Sequence, residues 1–397
     1  MSERYDLIVI GAGISGLAMA FEAKQAGMKV LVLEKEERAG GCFDSPTIEG
    51  DEPFWLEMGT HTCFNSYGRL LRILKKVGLM DRMGARQKLR YKMLADGKLV
   101  SIPSRLKFVE LFANAWRIFS TTKDGKSVQE YYRAIVGPNN YANVFSHAFN
   151  AVLCQQADDV PAGMLFRKRP RDKNVMRSYT FPEGLNNIIA ELEKRVECRK
   201  GQAIELVAYD ENNGFSVTLA DSSVHADQLV VATPVLAASR LLKGAFPELA
   251  EQLGWVNEVE IETVGIVVSK DDLPLEPVAG IIAADGDFYS SVSRDIVEHA
   301  QFRGMAFHFK PGLLDENQKI ERICTLLQLQ RHQLIQIYHK TNRLPSPDMG
   351  HHVLMHKVDE LLAEKPLALI GNYFEGVAVE DCLARVESEF KRLSQIR

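Results

Sequence analysis

Gly11, Gly13 and Gly16, with Glu34 twenty-three residues beyond the first of them, have the spacing that binds a dinucleotide. Gly11 permits a tight turn, Gly13 lets the backbone approach a pyrophosphate, and Gly16 lets a helix pack closely on a strand. Ile14 and Ser15 then open a helix whose free N–H groups and dipole face the phosphates. Glu34 is placed to accept hydrogen bonds from both ribose hydroxyls, and its charge would repel a 2′-phosphate. The ligand this pattern requires is a diphosphate dinucleotide.

Holding these residues takes a strand, a turn, a helix and a second strand. Tyr5–Ile10 is a short apolar run, Leu17, Ala20, Phe21 and Ala23 recur at helical spacing as far as Gly27, and Val30–Leu33 is a second apolar run. Later, Ala203–Tyr209 and Phe215–Leu219 alternate as a hairpin around Glu211-Asn212-Asn213-Gly214. Leu367–Ile370 reads as a buried strand, Gly371 and Gly376 allow close backbone approach, and a helix is predicted from Val377 to about Leu393. Residues 319–341 and 353–363 carry helical periodicity. The segment Leu106–Ser120 gathers Phe108, Val109, Phe112, Trp116 and Phe119 on one broad helical face. That face reads first as core packing and second as a tunnel wall or a membrane-resting helix. Arg167, Lys168, Arg169, Arg171, Lys173 and Arg177 read first as a solvated loop, otherwise as partners for substrate carboxylates or anionic headgroups.

The chain has 397 residues, enough for two or three packed units, and 46% hydrophobic against 25% charged residues excludes a disordered or fibrous protein. A net charge of -4 gives no overall field for nucleic acid, so no nucleic-acid partner is expected. The six cysteines, at 42, 63, 154, 198, 324 and 382, lack CxxC spacing and read as reduced thiols of a cytoplasmic protein. No run of 18 apolar residues occurs and the first residues do not form a signal peptide, which leaves peripheral membrane contact open. His351, His352 and His356 lack an acidic partner, so no metal is expected. Cys154 and Cys382 lack a base for nucleophilic work.

Four blocks together resemble the flavin-containing amine oxidase superfamily, and within it the protoporphyrinogen oxidase-like branch. They are Glu37 to Cys42 with Phe54 to His61; Ser127 to Tyr132; Leu229 to Pro234; and Leu367 to Leu383, the most specific to that branch. The resemblance implies FAD as cofactor and an α/β fold, with a discontinuous Rossmann-type FAD-binding domain (residues 1–85, 190–260 and 355–397). An α+β substrate-binding domain with a helical cap would take residues 86–189 and 261–354. It extends the FAD contacts to Lys35, Gly41, Cys42, Gly59, Thr60, His61, Ile204, Gly371, Asn372, Gly376 and Val377, with the Val377 N–H as a donor to the reduced ring. His61 and Tyr373 are the side chains expected to line the substrate cavity. Two departures stand out: Cys42 occupies the place of a family Arg, so that Lys35 or Arg38 would have to compensate, and Glu183-Gly184 stands where two glycines are common. The activity implied is FAD-dependent removal of hydride from a carbon next to nitrogen in a cyclic or pyrrolic amine such as a porphyrinogen. Electrons would pass to dioxygen or a quinone. Open alternatives are an amine or polyamine oxidase, an isoprenoid (phytoene-type) desaturase, and a flavin-binding module without turnover.

Overall fold

A computed structural model describes residues 3–284 and 286–396. The first apolar run forms a strand, Glu3–Ile10, whose last four residues are all buried, as an interior strand of a parallel sheet must be. The chain then turns through the glycines into the helix Ile14–Gln25 and returns as the strand Val30–Leu33, parallel to Leu7–Ile10. Glu197–Arg199 adds outside it, while Ser223–Val231 lies on the other side of the first strand. Leu367–Leu369 pairs in parallel with Leu229–Val231, and the antiparallel hairpin Ile204–Asp210/Gly214–Leu219 takes the other end of that strand.

This sheet is the middle of three layers. One face carries the helices Ile14–Gln25, Gly68–Val77, Asn186–Glu193 and Val379–Leu393 around Leu17, Leu74, Ile188 and Leu383. The other carries Val235–Leu242, Pro247–Gly254 and His351–Leu362 around Leu242, Leu253 and Val358. Tyr179, Phe181 and Leu185 belong to the first of these cores, so the boundary drawn at residue 190 falls inside a helix packed on the nucleotide side.

A second, mixed sheet runs in the order Leu334–Pro345, Glu258–Ser269, Phe302–Phe309, Phe288–Ser293, Gly280–Ala283, Tyr91–Ala95 and Lys98–Ser101. It packs on the helix Glu316–Leu327. The helical periodicity across 319–341 therefore holds only for its first half; Leu334–Pro345 is a twelve-residue strand paired with Glu258–Val268. Helices between residues 128 and 153 form the cap over a core of their own, entered through a capping box in which Ser127 and Glu130 satisfy each other's backbone N–H groups.

Phe108–Ala115 is a helix as expected, but its apolar face is not core. None of its residues is buried, and Val109, Phe112, Trp116 and Phe119 are 61–92% exposed. Of the basic run, Lys168, Arg171, Lys173 and Arg177 are exposed as a solvated loop requires, but two cations are not free. Arg167 pairs with Glu375 at 2.6 Å and Arg169 with Asp381 at 2.5 Å, tying the loop to the C-terminal block.

Candidate functional site

The glycine turn is shaped by collisions. Gly11 has φ +103°, and a Cβ on Gly16 would stand 1.9 Å from the Gly11 carbonyl oxygen. Around Gly13 the reverse holds, since a Cβ there would meet nothing within 4 Å. Gly13 caps the helix Ile14–Gln25 with no side-chain bond, and the first turn holds no acidic residue, so its N–H groups face open space. This is a cradle with the polarity a pyrophosphate requires. Glu34 lies beside it, Oε2 accepting the Ala12 N–H at 2.8 Å and Oε1 the Glu36 N–H at 3.0 Å. Each oxygen keeps a lone pair for a hydroxyl. The Gln202 N–H bonds to the Glu34 carbonyl at 2.8 Å, which brings the start of the hairpin, with half-buried Ile204, alongside. Lys35 is exposed and, among the described residues, pairs with Glu36.

The next loop lies along the turn. The Gly40 N–H donates to the Ala12 carbonyl at 2.9 Å, and Gly40 bridges to Gly13. On Gly41 and Cys42 sits the Gly59-Thr60-His61 segment, with the Thr60 N–H donating to the Cys42 carbonyl at 2.8 Å. Glu57 anchors it, accepting the Ser45 hydroxyl at 2.7 Å and the Leu185 N–H at 2.8 Å; burial pushes its carboxyl up to about 7. That second bond explains how Glu183-Gly184 is accommodated, because a Cβ on Gly184 would crowd both Ser45 and Glu57.

Of the C-terminal block, Gly371 and Asn372 follow the strand Leu367–Leu369 and are half-buried, while Gly376 is buried. The helix starts at Val379 with Ala378 as its cap, two residues later than predicted, so Val377 stands ahead of the helix. Ser15 and Cys42 both act on the Cys382 thiol, which sets this helix against the glycine turn. Tyr373 is not a cavity liner. It has no exposed surface, packs on Phe374 in the core behind the sheet, and leaves its hydroxyl without a partner among the described residues.

His61 does face the second sheet. Its Nδ1 is 3.1 Å from the Gly59 carbonyl, and its ring lies 6.5 Å from that of His308, the two planes 29° apart. His308 Nδ1 is 3.2 Å from Thr263 Oγ1, and its Nε2 is buried without a partner among the described residues. Burial pushes His61 down to about 4 and His308 to about 3, so both rings are neutral near pH 7 and can exchange hydrogen bonds without carrying charge.

Neither Lys35 nor Arg38 faces the cradle as a free cation in place of the missing arginine. Arg38 donates to the Phe43 and Gly41 carbonyls at 2.9 and 2.8 Å and is half-exposed. The cation that reaches this loop is Lys340, 12% exposed, which comes from the second sheet to the Gly41 carbonyl at 2.8 Å and to Asp44 at 3.0 Å. Asn342, on the same strand face two residues on, donates to the Met58 carbonyl at 3.0 Å. His308 and Lys340 escaped the motif reading, although a histidine inside the apolar strand Phe302–Phe309 is itself a signal. Lys340→Met is expected to weaken FAD affinity about tenfold, close to 1.4 kcal/mol, read by titrating flavin-free protein with FAD and following flavin fluorescence.

Residues 14–261 match the family described as flavin containing amine oxidoreductase. The chain belongs to that family. A protoporphyrinogen oxidase from Bos taurus is 23% identical across 95% of this chain and 96% of its own length. A flavin-containing amine oxidase from Danio rerio is 39% identical over 19% of this chain. Alignments with this and two further amine oxidases take in only 14–17% of those proteins. Among solved structures, a protein from Exiguobacterium sp. 255-15 assigned as a protoporphyrinogen oxidase superposes over 100% of both chains with TM-score 0.80 at 18% identity. That likeness is one of fold. As a flavin containing amine oxidoreductase the protein is an FAD-dependent oxidoreductase, and the cradle at Gly13, the acid at Glu34 and the uncapped helix fit that cofactor.

Proposed function

We propose that the protein removes hydride from a carbon adjacent to nitrogen in a cyclic or pyrrolic amine, a porphyrinogen first, and passes the electrons to dioxygen or a quinone. FAD, when bound, supplies the two-electron acceptor. The chain's part is to hold the reacting C–H in a dry cleft between the His61 turn and the second sheet, where neutral His61 and His308 offer hydrogen bonds and no strong base. The observation that carries this reading is the make-up of the cleft wall, in which His61 stands with Arg86, Arg294 and Trp55. A wall with two guanidinium groups disfavours an ammonium substrate such as a polyamine. The end-to-end alignment with the Bos taurus enzyme supports the same choice. Anaerobic titration with a freshly reduced porphyrinogen is expected to bleach the visible flavin band as porphyrin absorbance appears. Loss of the band with dithionite but not with porphyrinogen would remove this substrate, and smaller cyclic amines such as pyrrolines would then be titrated.

We also propose peripheral membrane contact through the cap. No helix among the described residues is long and apolar enough to cross a bilayer. The segment Phe108–Phe119 instead exposes Val109, Phe112, Trp116 and Phe119 beside exposed Lys107 and Arg117, the make-up of a helix lying in the interface. Wild-type protein is expected to sediment with vesicles containing anionic lipid, and Phe112→Glu with Phe119→Glu to remain largely in the supernatant. If the wild type stays in the supernatant, the contact is refuted.

A further inference from the structure

Glu57 separates two spaces of different character. On one side is the closed pocket that it lines with His61, Arg86, Arg294 and Trp55, where there is room for about one water molecule. Such a space is too small for a substrate group and the right size for a water bridging polar side chains. On the other side lies Ser45, whose hydroxyl donates to Glu57 Oε2 at 2.7 Å and accepts the Asn186 N–H at 3.2 Å. Ser45 also lines an open, polar pocket of about 290 Å³ with Thr47, Glu49, Glu183 and Asn187. The glutamate between them is 5% exposed.

Anchoring the His61 turn does not call for a charge. The two bonds that Glu57 accepts, from Ser45 and from the Leu185 N–H, would be met as well by a neutral amide, its oxygen taking the N–H and its NH₂ reaching the Ser45 oxygen. What a carboxyl adds is a place for a proton. Burial raises it to about 7, against the Leu185 N–H, the Ser45 hydroxyl and the charges of Arg86 and Arg294. The other titratable groups around it do not exchange protons near neutral pH. Burial holds His61 at about 4 and pushes the Cys63 thiol up, and the two guanidinium groups keep their protons.

The proposed oxidation has a proton to dispose of. As hydride leaves carbon with its electron pair for FAD, the adjacent N–H bond breaks, its pair becomes the C=N π bond, and its proton must reach a base. We propose that Glu57 takes this proton through a water beside His61 and passes it through Ser45 to the open pocket, so that the two residues form a proton outlet from the cleft. The carboxylate becomes a carboxylic acid, its O–H turns to the Ser45 oxygen, and the Ser45 hydrogen moves to solvent in the open pocket as the carboxylate is restored. The inference rests on the proposed function for the source of the proton and not for its path.

FAD-loaded wild type, Glu57→Gln and Ser45→Ala would be followed by infrared spectroscopy on transfer from H₂O to D₂O at about pH 6, where the carboxyl is mostly protonated. A C=O band of a protonated carboxyl is expected in the wild type, absent from Glu57→Gln, and shifted by deuterium within the mixing time. Ser45→Ala should keep the band and exchange it about tenfold more slowly or slower still. No band that Glu57→Gln removes, or exchange in Ser45→Ala as fast as in the wild type, would overturn the outlet. In the anaerobic reaction with porphyrinogen, the bleaching rate of the wild type should rise with pH through about 7 and then level. Glu57→Gln should be slower by about 100-fold on that plateau and lack the rise. A Glu57→Gln protein that keeps the rise but loses flavin or melts well below the wild type would make the residue an anchor alone, which also overturns the outlet. Deuterium exchange needs no electron donor, so failure of porphyrinogen to bleach the flavin would remove that substrate and leave the outlet to be decided by exchange.

Discussion

Gly13→Val should leave the protein folded and strip it of flavin. The position has φ -71° and ψ 177°, open to any L-residue, and a Cβ there would meet no atom of the protein within 4 Å. Nothing in the fold needs this glycine. What the added side chain does fill is the space in front of the uncapped N–H groups of the helix Ile14–Gln25, where the pyrophosphate would lie. The expected loss is about 100-fold in FAD affinity, near 2.7 kcal/mol, with the melting temperature of flavin-free protein unchanged to within about 2 °C. Gly16→Ala is the contrasting variant. Its Cβ would lie 1.9 Å from the Gly11 carbonyl oxygen, so helix and strand would have to separate, and the flavin-free protein should melt lower. Equal loss of stability in both variants would mean that the turn is constrained by packing alone.

Asp295→Ala should be among the most destabilising single changes in the second sheet. Asp295 and Arg303 are both more than nine-tenths buried and meet through two parallel bonds, Nε to Oδ1 at 2.8 Å and Nη2 to Oδ2 at 2.7 Å. The arginine also donates to the Leu273 and Leu275 carbonyls, and Asp295 accepts the Val278 N–H, so the pair closes the loop that precedes the strand Gly280–Ala283. Removing the carboxylate strands a buried guanidinium, which costs about 3–5 kcal/mol, a large share of the roughly 5–15 kcal/mol that holds a domain together. Urea unfolding would measure it. Pairing Asp295→Ala with Arg303→Met should restore part of the loss, because the second change removes the stranded charge. A double variant less stable than Asp295→Ala would show that the arginine contributes mainly through its carbonyl contacts.

How far the sequence carried depended on whether the deciding contact was local. Gly11, Gly13, Gly16 and Glu34 were legible because turn, helix and acid lie within one crossover, and the strands on either side fall where their apolar runs put them. Leu334–Pro345 was misread because Leu334, Ile337 and Tyr338 keep a helix-like spacing, while the pairing that makes the segment a strand is with residues some 80 positions earlier. With it went Lys340 and Asn342, whose contacts to Gly41 and Met58 cross between the two sheets. Phe108–Phe119 failed differently. An amphipathic pattern shows that a face is apolar, not that the same chain will cover it, and here the cap builds its core from residues 128–165 instead. Arg86 and Arg294 carry no local pattern at all, since only the fold brings them to one wall with His61.

The strand Leu367–Leu369 lies against Leu229–Val231, which lies against Ile8–Ile10, so the nucleotide sheet draws on both ends of the described chain. During synthesis the glycine turn emerges well ahead of the strand Leu367–Leu369 and the helix Val379–Leu393 that complete its surroundings. The N-terminal crossover must therefore wait, partly unsupported, while the ribosome adds more than three hundred residues. The second sheet draws only on residues 91–345, so it can close before the nucleotide sheet does. The cradle can then present its full surroundings to flavin only after Leu367–Leu369 and Val379–Leu393 have joined that sheet and its helices.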